Sequence, residues 1–450
     1  MRITFQPKNS PNWPPKPASA CKNRSFPMAK TDDWRSTRFG KRSDGMKTSP
    51  EKWPALVLAL GLLLQLLWHG LLLAQTAGAQ EFLKDIDFRI IYTAGQIARE
   101  GDWNAIYDLE RQHRTQEQIT GRALEQADVL PFNHPPTLLP LQWLIAFLPY
   151  STAYLLWAGV LAFFSLLNGG LVWRLARGAD WPALPAALLA AQAFLFYPVW
   201  VSINKGQDTL FALIGLTILL LGLQAGQERL SGLGLALLTL RPQFAMPLAV
   251  PFLFRQRQIE WWFAGFAALL VIYSVLMVGW KGVTDFLHLL ALTSSGETVL
   301  IHHADMYNLK GLLLRLLPAM SIEAASGISW AAFALVLAIL CWWWARAEQI
   351  GFPHVSLAVS LSLFASPHLH YHDVSFLLIP TLGLLLAFTV AGRLTPWQAA
   401  FLLMAESLYL AIIHLTPFRE AGVYLLMLGL AILAGAAGRI SPKSLFGGAG

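Results

Sequence analysis

Cysteine is nearly absent from this chain. Cys21 and Cys341 are the only two in 450 residues, which excludes a disulfide framework and a cysteine-based metal site. Charge is scarce as well: 13% of the residues are charged and 55% are hydrophobic, too few charges to cover the surface of a water-soluble domain of this length. The apolar residues come in long blocks without a polar face, the pattern of an all-α polytopic membrane bundle. Eighteen Trp and 26 Phe suit a bundle with aromatic belts at its two interfaces. The net charge of +7 does not indicate nucleic acid. Eleven Lys and Arg stand in residues 1–50 against three acids, and most of the others flank apolar runs, where they act as topology signals and contacts to anionic lipid.

Composition divides the chain into a basic, disordered cytoplasmic tail over 1–50, a transmembrane domain over 51–440 and a short cytoplasmic tail over 441–450. Met46 is an alternative start close to the first span. That span, 54–75, precedes an Ala77-Gly78-Ala79 pattern but is too long for a signal h-region, so it reads as a retained helix. Further runs lie at 152–173, 182–203, 208–224, 261–279, 329–345, 350–366, 374–391, 397–414 and 422–437. Segment 137–149 is short enough to re-enter from one side. Residues 232–254 split at Arg241-Pro242 into a hairpin. With short segments included, about ten to thirteen membrane helices are expected. Placing the basic tail inside also puts Arg174, Arg177, Arg229, Arg255, Arg257, Arg346, Arg393, Arg439 and Lys443 inside. Residues 76–136, 204–207, 280–328 and 366–373 then face the outside, in an integral plasma-membrane protein with both termini cytoplasmic.

The first outer loop, 76–136, carries ten acids and six bases, and its apolar residues are helical in period. Leu83, Ile86, Ile90, Ile91, Ala94, Ile97 and Ala98 form one stripe, expected on an interfacial amphipathic helix. Asp85 falls opposite the stripe, four residues before Arg89, as a solvated acid with an ion pair in reach. Asp87 falls within the stripe. A carboxylate on an apolar face is costly unless it has a task, so Asp87 is either a helix-capping or structural acid or a functional one.

From these residues onward the chain resembles the polyprenol-phosphate-mannose-dependent mannosyltransferases of glycosyltransferase family 87, which have the GT-C membrane fold. The likeness runs through Asp87-Phe88 with Tyr92, Gly101, Ile106-Tyr107-Asp108, Phe132-Asn133-His134-Pro135-Pro136 and Gly206-Gln207. It continues through Leu233-Gly234-Leu235-Ala236, Arg241-Pro242, Asn308 with Gly311-Leu312-Leu313, and Ser366-Pro367 with His370, Tyr371 and His372. Arg241 stands where the family pattern has a Lys-Pro pair, and the 366–373 stretch is richer in histidine than usual. The resemblance implies an inverting transfer of a hexose, mannose in the family's pattern, from a polyprenyl-phosphate donor to a hydroxyl of a glycolipid or envelope glycan. It implies an extracytoplasmic site with Asp87 as the catalytic base.

A sugar phosphoester carries its own leaving group, so one base and donors around the departing phosphate suffice. Arg241 offers a fork of donors for phosphate, and His372 is the matching histidine. Asp85, Tyr92, His134, Asn204, Gln207, Asn308 and His370 are candidates for lining the cavity or touching substrate; for Asn204 and Gln207, capping of the next helix is the competing role. His368, His370 and His372 with Asp373 admit a metal site on spacing alone, but a lipid-phosphate sugar has no pyrophosphate that needs a divalent ion, so no metal or cofactor is expected. A membrane transporter or flippase of lipid or glycan is the rival reading. Carriers usually show internal repeats or charges in the middle of spans, and neither is evident here.

Overall fold

The computed structural model describes residues 52–295 and 303–438. The expected tails, 1–50 and 441–450, and Arg439 lie outside them. Every element among the described residues is helical, in agreement with an all-α polytopic bundle. Among the described residues, eight helices are long and apolar enough to cross a bilayer: Lys52–Gly78, Tyr150–Gly178, Ala183–Lys205, Arg257–Thr293, Ile322–Arg346, Tyr371–Val390, Pro396–His414 and Arg419–Ala437. Thr209–Gln224 and Phe352–Ala365 are shorter apolar helices beside them. Arg241-Pro242 does turn a hairpin, between Glu228–Leu238 and Pro242–Phe252, and residues 139–145 form only a two-turn helix.

Two runs differ from their sequence reading. The run over 182–203 bends between Ala183–Phe194 and Tyr197–Lys205, because Pro198 in the first turn of the second helix supplies no N–H for the first. The carbonyls released there are taken by side chains. Trp200 Nε1 donates to Phe194 O at 2.9 Å, and His69 Nε2 lies 3.0 Å from Leu195 O. This is how a broken membrane helix keeps its polar backbone satisfied. The helix beginning at Arg257 continues to Ser295, past the expected end at 279, with a break in its φ/ψ at Gly279. Where three spans meet, the Gln65 and Gln192 amides bond reciprocally at 3.0 Å and Ser407 Oγ donates to Gln65 Oε1 at 2.9 Å.

Residues 76–136, expected as the first outer loop, fold into helices at Gln80–Lys84, Phe88–Arg99 and Leu109–Thr120. Asp108 caps the last by accepting from Arg111 N at 2.9 Å. All seven residues of the apolar stripe are buried, so the stripe packs into the protein instead of lying on an interface. Two glycines set how the loop docks. A Cβ on Gly95 would fall 2.3 Å from Gln142 O, so only glycine lets Phe88–Arg99 approach Leu139–Ile145 this closely. Gly206, at φ +76°, ends the helix Tyr197–Lys205 in the left-handed region. A Cβ there would fall 2.6 Å from Phe88 Cβ, so the start of Phe88–Arg99 is seated on the 205–208 turn. Tyr154 and Trp157 hold that turn from the second span, donating to Asn204 O at 3.0 Å and Gly206 O at 2.8 Å.

Candidate active site

Seating Phe88 on Gly206 brings Asp87 to the wall of a cavity of about 360 Å³, within the usual size of ligand pockets. Asp87 is the residue before the first turn of Phe88–Arg99, yet its carboxylate makes no capping bond and its side chain remains 29% exposed. Across from it, residues 366–370 run extended into a short 3-10 turn at Tyr371–Leu377. Alternate residues of an extended segment share a side, which brings His368 and His370 to the cavity, and His372 joins them from the start of the 3-10 turn. Their rings follow one another at 4.8 and 5.9 Å. The segment is tethered by Asn308 Nδ2 to Ser366 O at 2.8 Å, Tyr307 N to Leu369 O at 2.9 Å, and Ser202 Oγ to His372 O at 3.0 Å.

Arg241 enters from the hairpin turn, and a single nitrogen makes its three hydrogen bonds. Nη2 donates to Asp208 Oδ1 at 2.9 Å, Thr209 Oγ1 at 2.9 Å and Gln207 Oε1 at 3.1 Å. Asp373 approaches from the other side, with Oδ1 3.9 Å from Arg241 Nε. It accepts from Thr209 Oγ1 at 3.4 Å and from His370 N at 3.3 Å. Asp208 also meets His134, Nδ1 to Oδ2 at 2.9 Å. His372 closes the row between two carboxylates, with Nδ1 3.6 Å from Asp87 Oδ2 and Nε2 3.5 Å from Asp373 Oδ2. From Asp87 to His134 this is a chain of alternating acids and bases across the cavity wall. Burial works against ionisation of Asp208, but His134 and Arg241 outweigh it and hold the carboxyl below the usual range. Burial, assisted by its histidine neighbours, pushes His368 well down; burial likewise brings His370 to about 4, with His372 adding to it and Asp373 opposing.

Six of the ten residues singled out in the sequence line this cavity: Asp87, Arg241, His372, His134, Gln207 and His370. The other four stand elsewhere. Asp85 is an exposed acid paired with Arg122 at 2.6 Å and Arg89 at 3.5 Å, away from the cavity. Tyr92 packs on Phe88 and Tyr150 and donates to Leu148 O at 2.7 Å. Asn204 meets Tyr154, and Asn308 caps Leu309–Leu316 through Gly311 N at 2.9 Å. Sequence reasoning missed Asp208, Thr209 and the pairing of Asp373. Asp208 had a signal: an acid directly before a long apolar run needs a buried partner. Among the described residues, no group of three or more His, Cys, Asp or Glu is arranged to hold a metal ion.

A second, mainly apolar groove of about 250 Å³ adjoins the first and shares Asn133, Arg241 and His368 with it. Leu240, Pro242, Leu290 and Phe333 form part of its walls, and it reaches Met246 and Trp330, which are 46% and 44% exposed on the apolar outer surface. The polar cavity presents a carboxylate and several hydrogen-bond donors; the groove is walled mainly by apolar side chains.

No curated protein and no solved structure matches the chain. The model of glycosyltransferase family 87 matches residues 132–367, which include His134, Gln207, Asp208 and Arg241 and end just before the histidines; Asp87 precedes it. With a match over more than half of its residues and a bundle of membrane-length helices around a polar cavity, the chain belongs to glycosyltransferase family 87 and is a membrane glycosyltransferase.

Proposed function

We propose that the protein moves a hexose, mannose by the family resemblance, from a polyprenyl-phosphate donor to a hydroxyl of a glycolipid or envelope glycan, with inversion at the sugar. The observation that carries this reading is the junction of cavity and groove at Arg241, His368 and Asn133. A ligand fitting both spaces has an anionic head and a hydrocarbon tail. In this reading the isoprenoid lies along Leu240, Met246 and Phe333, and the phosphate meets Arg241 and His372. The sugar extends into the cavity, and Asp87 takes the proton from the attacking hydroxyl. Departure of the lipid phosphate adds negative charge on its oxygens, which in this reading the Arg241 guanidinium and the histidine N–H groups meet.

The basic tail and the Lys and Arg at the span ends support a plasma-membrane protein with both termini cytoplasmic and the cavity opening outside. The experiment is transfer of radiolabelled sugar from polyprenyl-phosphate-mannose to extracted envelope glycolipid by purified protein in nanodiscs. Label in the glycolipid supports the reading. Equal transfer from a nucleotide sugar, or none from the lipid donor, contradicts it.

A further inference from the structure

The fixed charges around Arg241 do not favour an anion. One guanidinium faces the carboxylates of Asp208 and Asp373, a formal excess of one negative charge while the histidines are neutral. Asp208 and Asp373 are 7% and 0% exposed, so solvent screens them poorly. Lys205 and Arg419 line the same cavity beside His414, but Arg419 is engaged with Glu420 at 2.9 Å and Lys205 Nζ stands over the Phe82 ring, 5.0 Å from its centre. A phosphodiester brought to Arg241 therefore enters a site that already repels it, unless the site gains positive charge. The groups able to supply it there are His368, His370 and His372, the row facing the arginine.

We infer that the donor phosphate binds together with a proton, taken from solvent onto the row His368, His370 and His372. This rests on the lipid-phosphate donor proposed above. The neighbours are consistent with such a gain. His370 faces Asp87, Asp305 and Asp373; His372 faces Asp87, Asp373, Arg241 and His134; His368 faces Arg241 and Lys310. Without a ligand, burial keeps His368 and His370 neutral near pH 7. An anion against the rings reverses that balance, because an opposite charge within a few ångströms favours the protonated form. The bound proton then faces the lipid phosphate as it departs with one more negative charge than the diester had.

The test is titration calorimetry of the full chain in phosphatidylcholine nanodiscs with farnesyl methyl phosphate, a diester whose single charge does not change near neutral pH. In buffers of different ionisation enthalpy, the heat should report uptake of about one proton per diester bound, and affinity should weaken as pH rises. The uptake should persist in Asp87→Asn and be lost in the triple variant His368→Gln, His370→Gln, His372→Gln. If that variant does not fold, the buffer dependence of the wild type decides. Heats independent of buffer with binding intact, or uptake lost in Asp87→Asn, would overturn the inference while leaving the donor standing. Failure to bind at any pH would remove the donor reading and this inference with it. Dimethyl phosphate is the arm without a tail: far weaker binding with the same proton uptake is expected. Affinity equal to that of the farnesyl ester would assign the site to free phosphodiesters and overturn the lipid source.

Discussion

Arg241 and Asp208, 33 residues apart, form a buried ion pair at 2.9 Å with both side chains less than one-tenth exposed. Removing one partner of such a pair leaves the other charge buried and uncompensated, which costs about 3–5 kcal/mol. Asp208→Asn should destabilise the protein by roughly that amount and displace the guanidinium, read by thermal unfolding in nanodiscs. Because the folded carboxyl is held below its ordinary value, its stabilisation is present above that value and fades as pH falls toward the folded one. The gap in stability between wild type and variant should therefore be full at neutral pH and shrink below about pH 4.

Gly206 sets the distance between the helix Phe88–Arg99 and the turn before the short helix Thr209–Gln224. With φ at +76° and Phe88 Cβ 2.6 Å from the added methyl, Gly206→Ala combines a left-handed strain of about 1–2 kcal/mol with a displaced Phe88. Asp87 is covalently next to Phe88. Turnover should fall more than stability does, and a variant with wild-type kcat would show that the seating does not position the acid.

Lys310 is fully buried, and its Nζ lies 3.4 Å from His303 Nδ1. Burial lowers its pKa from 10.5 to about 8. Between those values the unfolded chain binds the extra proton, so this group's contribution to stability rises with pH from about 8 to 10.5. Lys310→Met should therefore stabilise the protein at pH 7, by an amount on the order of 1–3 kcal/mol that shrinks as pH approaches 10. Equal unfolding temperatures for the two proteins across that range would contradict the burial cost.

Much of the fold was legible because membrane spans and the Arg241-Pro242 turn are local signals: about 20 apolar residues, or a proline that stops a helix. The buried stripe from Leu83 to Ala98 was legible for the same reason, although its partner was not. Periodicity shows that a face is covered, and does not distinguish lipid from a neighbouring helix. Asp87 stood out because a charged residue on an apolar face breaks a local rule. The pairing of Arg241 with Asp208 and Asp373 breaks none. It depends on contacts between distant parts of the chain, and a sequence reading that sees an arginine has no means of counting the carboxylates behind it. Spacing alone does not place the histidines: His368 and His370 alternate on extended backbone, and His372 stands in the 3-10 turn that follows.

The groove can be tested by filling it. Met246→Trp places a larger ring at its outer end, where the side chain is exposed, so folding should be unaffected. The KM for a long-chain polyprenyl-phosphate-mannose should rise about tenfold, the equivalent of about 1.4 kcal/mol, with the acceptor KM unchanged. A rise in the acceptor KM instead would give the groove to the acceptor.

The most direct measurement is single-turnover transfer by Asp87→Asn with donor saturating. The side chain keeps its shape and loses its basicity. General-base catalysis contributes roughly 10²- to 10⁴-fold, so the rate should fall by about that factor while donor affinity and unfolding temperature remain near wild type. A variant that transfers sugar at the wild-type rate would contradict the role of Asp87, and with it the account of the cavity built around that residue.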